Sequence, residues 1–235
     1  MPPTTGPKPL YELKKPAEIQ NTTVTPAVKA TITILEQAYP KEQSEWCSFY
    51  SLGYVATVKG IKEVPETTHV FVKIYLPDRA YEDGNDEARA DREILAYQHF
   101  PQYQKDGSIP TLYGRGKFHF TNVGTGQKSP PLIILSIAPG VPLKKFETNP
   151  QVKSGWTRQK LSDLYTTLKP IFEAFHKEFQ KYDVQSFHVD PKTGRPCIFD
   201  FDRIILKTEG NFDPAQDVQS LFALLRGIAE TWGLQ

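Results

Sequence analysis

HVDPKTGRPCIFDFDRI, residues 188–204, sets two carboxylates into an otherwise apolar stretch. Side chains alternate along a strand, so the pattern predicts Asp200 and Asp202 on one face and Cys197, Phe199 and Phe201 on the other. A carboxylate carried into a buried or cleft position is costly unless a cation meets it. The PKTGR segment just before reads as a tight turn, with Gly194 supplying the positive φ that other residues resist. A hairpin therefore delivers Asp200 to one place. Taken alone, the same residues also fit a plainer arrangement in which both acids solvate an edge strand.

The stretch belongs to a chain of 235 residues, enough for one sizeable domain or two small lobes about a cleft. Twenty-eight basic residues face 27 acidic ones, so no electrostatic footprint points to nucleic acid or an anionic membrane. Apolar runs such as LIIL, residues 132–135, are too short to span a bilayer, and MPPTTGPKP at the start has no secretory apolar core. The expected address is intracellular, cytoplasmic or nuclear. Cys47 and Cys197 have neither CxxC spacing nor a zinc pattern, and read as reduced thiols.

Residues 1–27 carry Pro2, Pro3, Pro7, Pro9, Pro16 and Pro26 among few large apolar side chains, and are expected to form a disordered tail. Beyond them ATITILEQAY, FYSLGYVATVKGI and THVFVKIYL predict three strands in antiparallel succession. NDEARADREILAYQHF, from Asn85, predicts a helix with acids in its first turn and Ala90, Ile94 and Tyr97 on one face. TLYGRGKFHF and PPLIILSIA then read as two further extended segments. In the second half Leu161, Leu164, Tyr165, Leu168, Ile171, Phe172, Phe175 and Phe179 follow helical spacing, with a kink expected at Pro170. A last helix is expected to start at Asp213, with Pro214 at its first position and Gln216 completing a capping box.

In this order the residues resemble the protein-kinase-like fold, including its aminoglycoside- and choline-phosphotransferase-like relatives, over roughly residues 30–235. The resemblance implies an α+β, two-lobed fold. A small antiparallel-sheet lobe with one helix would occupy residues 28–135, and a short, mainly helical lobe residues 136–235. Lys73 in VFVKIYL matches the strand lysine that such proteins aim at nucleotide phosphates, and Glu93 in REILAY the helix glutamate that pairs with it. LIILSIAPGVPL is similar to the lobe-connecting hinge, where an adenine meets backbone near Ile137. Asp200-Phe201-Asp202 stands in place of the Asp-Phe-Gly motif, whose Asp holds Mg²⁺. Asp217 resembles the family's buried helix aspartate.

The family's catalytic loop reads His-x-Asp-x-x-x-x-Asn. Here Asp183 fits the Asp, Lys181 replaces the His, and His188, or Ser186 if a gap is placed in the loop, stands where Asn is expected. Imidazole is a poor Mg²⁺ ligand. Only Gly53 represents the usual glycine-rich phosphate cover. These departures lead to an expected pseudokinase-type nucleotide-binding or interaction module, holding ATP and Mg²⁺ weakly and open to a protein partner. The alternative is an active Mg-ATP phosphotransferase in which Asp183 orients a small-molecule or protein hydroxyl. A third, more distant reading is a metal-dependent hydrolase built on Asp183, His188, Asp190 and Asp200.

Overall fold

The computed structural model describes residues 17–21, 28–39, 51–75, 86–118, 129–142, 155–181, 184, 186–209 and 212–234. The chain is a mixed α+β protein that divides into two compact units. The first comprises Met1–Asp91 and Leu112–Ile137, the second Arg92–Thr111 and Ala138–Gln235. The division falls inside a helix and moves residues 92–111 out of the segment expected for the first lobe.

Six strands build the first unit: β1 (Ala17–Asn21), β2 (Val28–Tyr39), β3 (Ser51–Lys59), β4 (His69–Tyr75), β5 (Leu112–Phe118) and β6 (Pro131–Ser136). They pair antiparallel in the order β1-β2-β3-β4-β6-β5, and β1 closes the ring by pairing with β5 as well as β2. Alternation along β2, β3, β4 and β6 fills the interior: Ile32 and Ile34, Ala56 and Val58, Val70, Val72 and Ile74, and Leu132 and Ile134 all point into one core. Irregular register near Ile34 and Gln37 lets the long β2 bend around the barrel.

The three strands expected after residue 30 are β2, β3 and β4, and the two later ones β5 and β6. The expected tail does not hold throughout: Ala17–Asn21 forms β1, while residues 1–16 and 22–27 lie outside the described residues.

Helix α1 (Asp86–His99) begins in the first unit, with Asp86 and Glu87 in its first turn as the helix dipole favours. Within that unit Arg115 pairs with Asp91 at 2.8 Å and Lys117 with Glu87 at 2.9 Å. The rest of α1, the short α2 (Pro101–Lys105), α3 (Arg158–Phe175) and α4 (Pro214–Thr231) belong to the second unit. Five short strands join them: β7 (Val141–Pro142), β8 (Phe179–Lys181), β9 (Phe187–Val189), β10 (Pro196–Ile198) and β11 (Ile204–Leu206). β10, β9 and β7 form one sheet, β11 and β8 another.

Helix α3 is capped by Thr157, whose Oγ1 accepts from the Lys160 N–H at 3.2 Å. It runs through Pro170 and ends at Phe175, so Phe179, expected on its apolar face, instead opens β8. The ring nevertheless remains in the same core. Phe175 stacks on Phe179 at 5.2 Å, and Tyr97, Phe100 and Phe201 complete an aromatic cluster.

Helix α4 starts at Asp213 as expected, its side chain accepting from the Ala215 N–H. The reciprocal half of the capping box differs. The Asp213 N–H donates to Oε1 of Gln180 at 2.7 Å, and Gln180 Nε2 donates to Gln216. A buried side chain from β8 thus does what Gln216 was expected to do.

Candidate metal centre

The site is assembled from α1 and from the segment that follows the β9–β10 hairpin. That hairpin pairs His188 with Cys197 and Phe187 with Ile198. Its turn is closed by the Gly194 N–H on the Asp190 carbonyl at 2.8 Å, with Gly194 at φ 72 as expected. The strand ends at Ile198, two residues before Asp200.

Asp200 itself has φ 64, the only described non-glycine residue in the left-handed region. Such a conformation costs an L residue about 1–2 kcal/mol, although Asp tolerates it better than most. The simple two-face alternation expected for residues 197–202 is therefore broken at Asp200. Phe201 turns into the core, with its ring 5.2 Å from Tyr97 and 5.5 Å from Phe175.

The break gathers three carboxylates. Ligand oxygens of Glu93, Asp200 and Asp202 all lie within 4.8 Å of one another. Glu93 is 1% exposed and Asp202 7%, with Asp200 half-buried. Carboxylates this close repel one another, and burial strengthens the repulsion, so positive charge near them is strongly favoured. Hard oxygen donors in this number suit Mg²⁺, Mn²⁺ or Ca²⁺ rather than a thiophilic ion.

Tyr97, one helical turn after Glu93, donates its hydroxyl to Glu93 Oε1 at 3.3 Å. Burial, then the negative charges of Glu93 and Asp200, push the Tyr97 phenol well above its ordinary range. It stays a neutral donor.

Behind the triad, Lys181 is 1% exposed, and its Nζ donates to the Asp200 carbonyl at 2.8 Å. The same ammonium lies 5.3 Å from the centroid of the Phe201 ring. Its backbone N–H donates to Asp217 Oδ2 at 2.7 Å, and His176 Nε2 lies 3.5 Å from the same oxygen. Asp217, buried in the first turn of α4, thereby ties β8 to that helix.

Lys73 belongs to the first unit. It lies on β4 between Gly53 of β3 and Ile133 of β6, on the face opposite Val72 and Ile74. Its side chain is buried, with Nζ 5.3 Å from the Tyr75 ring centroid. Ile137 follows β6 and is 42% exposed. Asp183 lies outside the described residues.

His188 and Asp190 have local duties. His188 Nδ1 lies 3.3 Å from the Ala138 carbonyl oxygen, and its ring meets Phe199 edge-on at 4.7 Å. Asp190 accepts the Lys192 and Thr193 N–H groups, and the first of these bonds leads in holding its carboxyl below the usual range. Gly140, at φ 88, has Val189 backbone atoms 2.4 Å from where a Cβ would sit, so only glycine fits beside β9.

No family model matches this chain, and no curated protein is found as a relative. What the triad can do follows from its own chemistry. Asp200 and Glu93 were both candidates from the sequence, but not as members of one cluster. Asp202 was expected on one face with Asp200, and Lys181 in place of the loop His, but neither was assigned a role at the metal; Tyr97 was expected only on the apolar face of its helix. The signals were present in the spacing of Tyr97 four residues after Glu93 and of Asp202 two after Asp200.

Proposed function

We propose that the chain is a kinase-like nucleotide-binding module of pseudokinase type, in which Glu93, Asp200 and Asp202 serve a divalent cation. The observation that carries this reading is the gathering of those three carboxylates within 4.8 Å. A bound Mg²⁺ would supply positive charge against nucleotide phosphate oxygens. In this reading Lys73 is the residue assigned to phosphate, and backbone near Ile137 is assigned to the base.

Little turnover is expected. His188, one of two candidates for the second metal position, is engaged with the Ala138 carbonyl and the Phe199 ring. Those contacts and the turn-closing role of Asp190 also weigh against a hydrolase built on His188 and Asp190. A single metal and a single cation can hold a nucleotide, whereas acceleration requires groups that act more strongly on the transition state than on the ground state.

Calorimetric titration with ATP, with and without Mg²⁺, tests the proposal. Wild type and Asp183→Asn are expected to bind ATP only with the ion, and Asp200→Asn to lose that binding. Equal binding by Asp200→Asn would overturn the assignment of the metal. Phosphate transfer at about 1 per second or faster, lost in Asp183→Asn, would replace the pseudokinase reading with an active phosphotransferase.

A further inference from the structure

Lys181 is buried, and a buried ammonium is costly unless its surroundings use it. A methionine would fill similar volume without that cost. Two described contacts of the Lys181 side chain fall on a single short segment. Its Nζ donates to the Asp200 carbonyl at 2.8 Å, and its charge lies over the Phe201 ring. As a residue of β8 it is also the register partner of Ile204 in β11. Both ends of residues 200–204 are therefore held by the same residue. Its own main chain is fixed in turn by Asp217 through a 2.7 Å hydrogen bond.

The segment so held contains the left-handed Asp200, a conformation that persists only where the surroundings over-determine it. We propose that Lys181 is the positioning residue of the acidic centre: its ammonium keeps Asp200 left-handed and so keeps the Asp200 carboxylate with Glu93 and Asp202. Lys181 offers no acceptor to a cation, and the effect passes through the Asp200 backbone. Groups standing behind metal ligands commonly change metal affinity by about 10–100-fold when removed. A buried positive charge would by itself weaken cation binding. The proposal therefore predicts a direction opposite to simple electrostatics: loss of Lys181 weakens metal binding instead of strengthening it.

The test uses the full chain, labelled at aspartate, as wild type, Lys181→Met and Lys181→Gln. Gln keeps an N–H donor but not the charge. Without metal, the one-bond Cα–Hα coupling of Asp200 in NMR spectra separates positive from negative φ. Wild type and Lys181→Gln are expected to show the positive-φ value, and Lys181→Met to shift toward negative φ. An unchanged coupling in a folded Lys181→Met protein overturns the proposal. If Lys181→Met does not fold, the added change Asp200→Gly is expected to restore a cooperative unfolding transition, because glycine takes positive φ unaided; failure of that rescue also overturns it.

The second readout is Mn²⁺ titration followed by electron spin resonance. It rests on the metal reading proposed above. Lys181→Met is expected to bind about tenfold more weakly or worse, and Lys181→Gln to lie closer to wild type. Tighter binding by Lys181→Met would mean that charge, not positioning, dominates, and would reject the proposal. Wild type that binds no Mn²⁺ would reject the metal reading, while the coupling measurement still decides the role of Lys181.

Discussion

At Asp200 the demands of stability and of the site oppose one another. Its φ of 64 suits glycine, yet the position contributes one of three clustered carboxylates. Asp200→Gly should therefore raise the unfolding free energy by about 1 kcal/mol, through relief of backbone strain and of carboxylate repulsion. The same change should abolish Mn²⁺ binding. Urea unfolding and metal titration of one preparation check both halves, and a destabilised Asp200→Gly protein would contradict the strain argument. The importance of Asp200 was legible in the sequence because a charged residue interrupts an apolar run. Its left-handed backbone was not, since nothing in FDFD separates an alternating strand from a strand that stops at Ile198. The cluster with Glu93 depends on contacts across 107 residues of chain, which local pattern does not encode. Lys181 was legible only as the residue in place of the loop His; its burial behind Asp200 comes from the fold and not from the local pattern.

Helix α3 carries a local conflict that its packing overrides. Pro170 sits inside Arg158–Phe175, lacks an N–H for the helical ladder, and is exposed. The helix continues because Leu161, Leu164, Leu168, Ile171, Phe172 and Phe175 are buried along one face. Pro170→Ala removes the conflict without removing core contacts, so it should stabilise the protein by about 1–3 kcal/mol in urea unfolding. Destabilisation would mean that the local geometry imposed by Pro170 is needed for that packing. Elements with strong periodicity, such as β2–β6, α1, α3 and α4, were readable from their side chains. Weak ones were not. AEIQN in β1 follows Pro16 and has only Ile19 as a β-branched residue; pairing of its backbone with β2 and β5 makes it a strand. Three-residue strands such as β8 and β11 are likewise defined by their partners, and for that reason Phe179 was taken for a continuation of α3.

For the molecule as a whole, buried ionisable groups set a limit on the alkaline side. Burial raises the Cys197 thiol from 9.0 to about 12, and burial likewise raises Tyr54 from 10.0 to about 12. The native state thus holds these protons more tightly than the unfolded chain does. Their contribution to stability is complete below the ordinary thiol value of 9.0 and is lost as pH rises through 9 toward about 12. Urea midpoints should be flat just below pH 9 and fall above it, and Cys197→Ala should delay the onset of the fall to about the tyrosine value of 10.0. An unchanged onset would count against the burial of that thiol. The closed ring of the first unit also has a consequence for association. An open sheet offers rows of unpaired amides and carbonyls to which another chain can add, and proteins usually defend such edges with charge, proline or bulges. Because β1 bridges β2 and β5, these strands have no free rim, and the apolar alternation of β4 and β6 carries no risk of templating a neighbour. Five residues of unpromising sequence thereby act as a guard against aggregation.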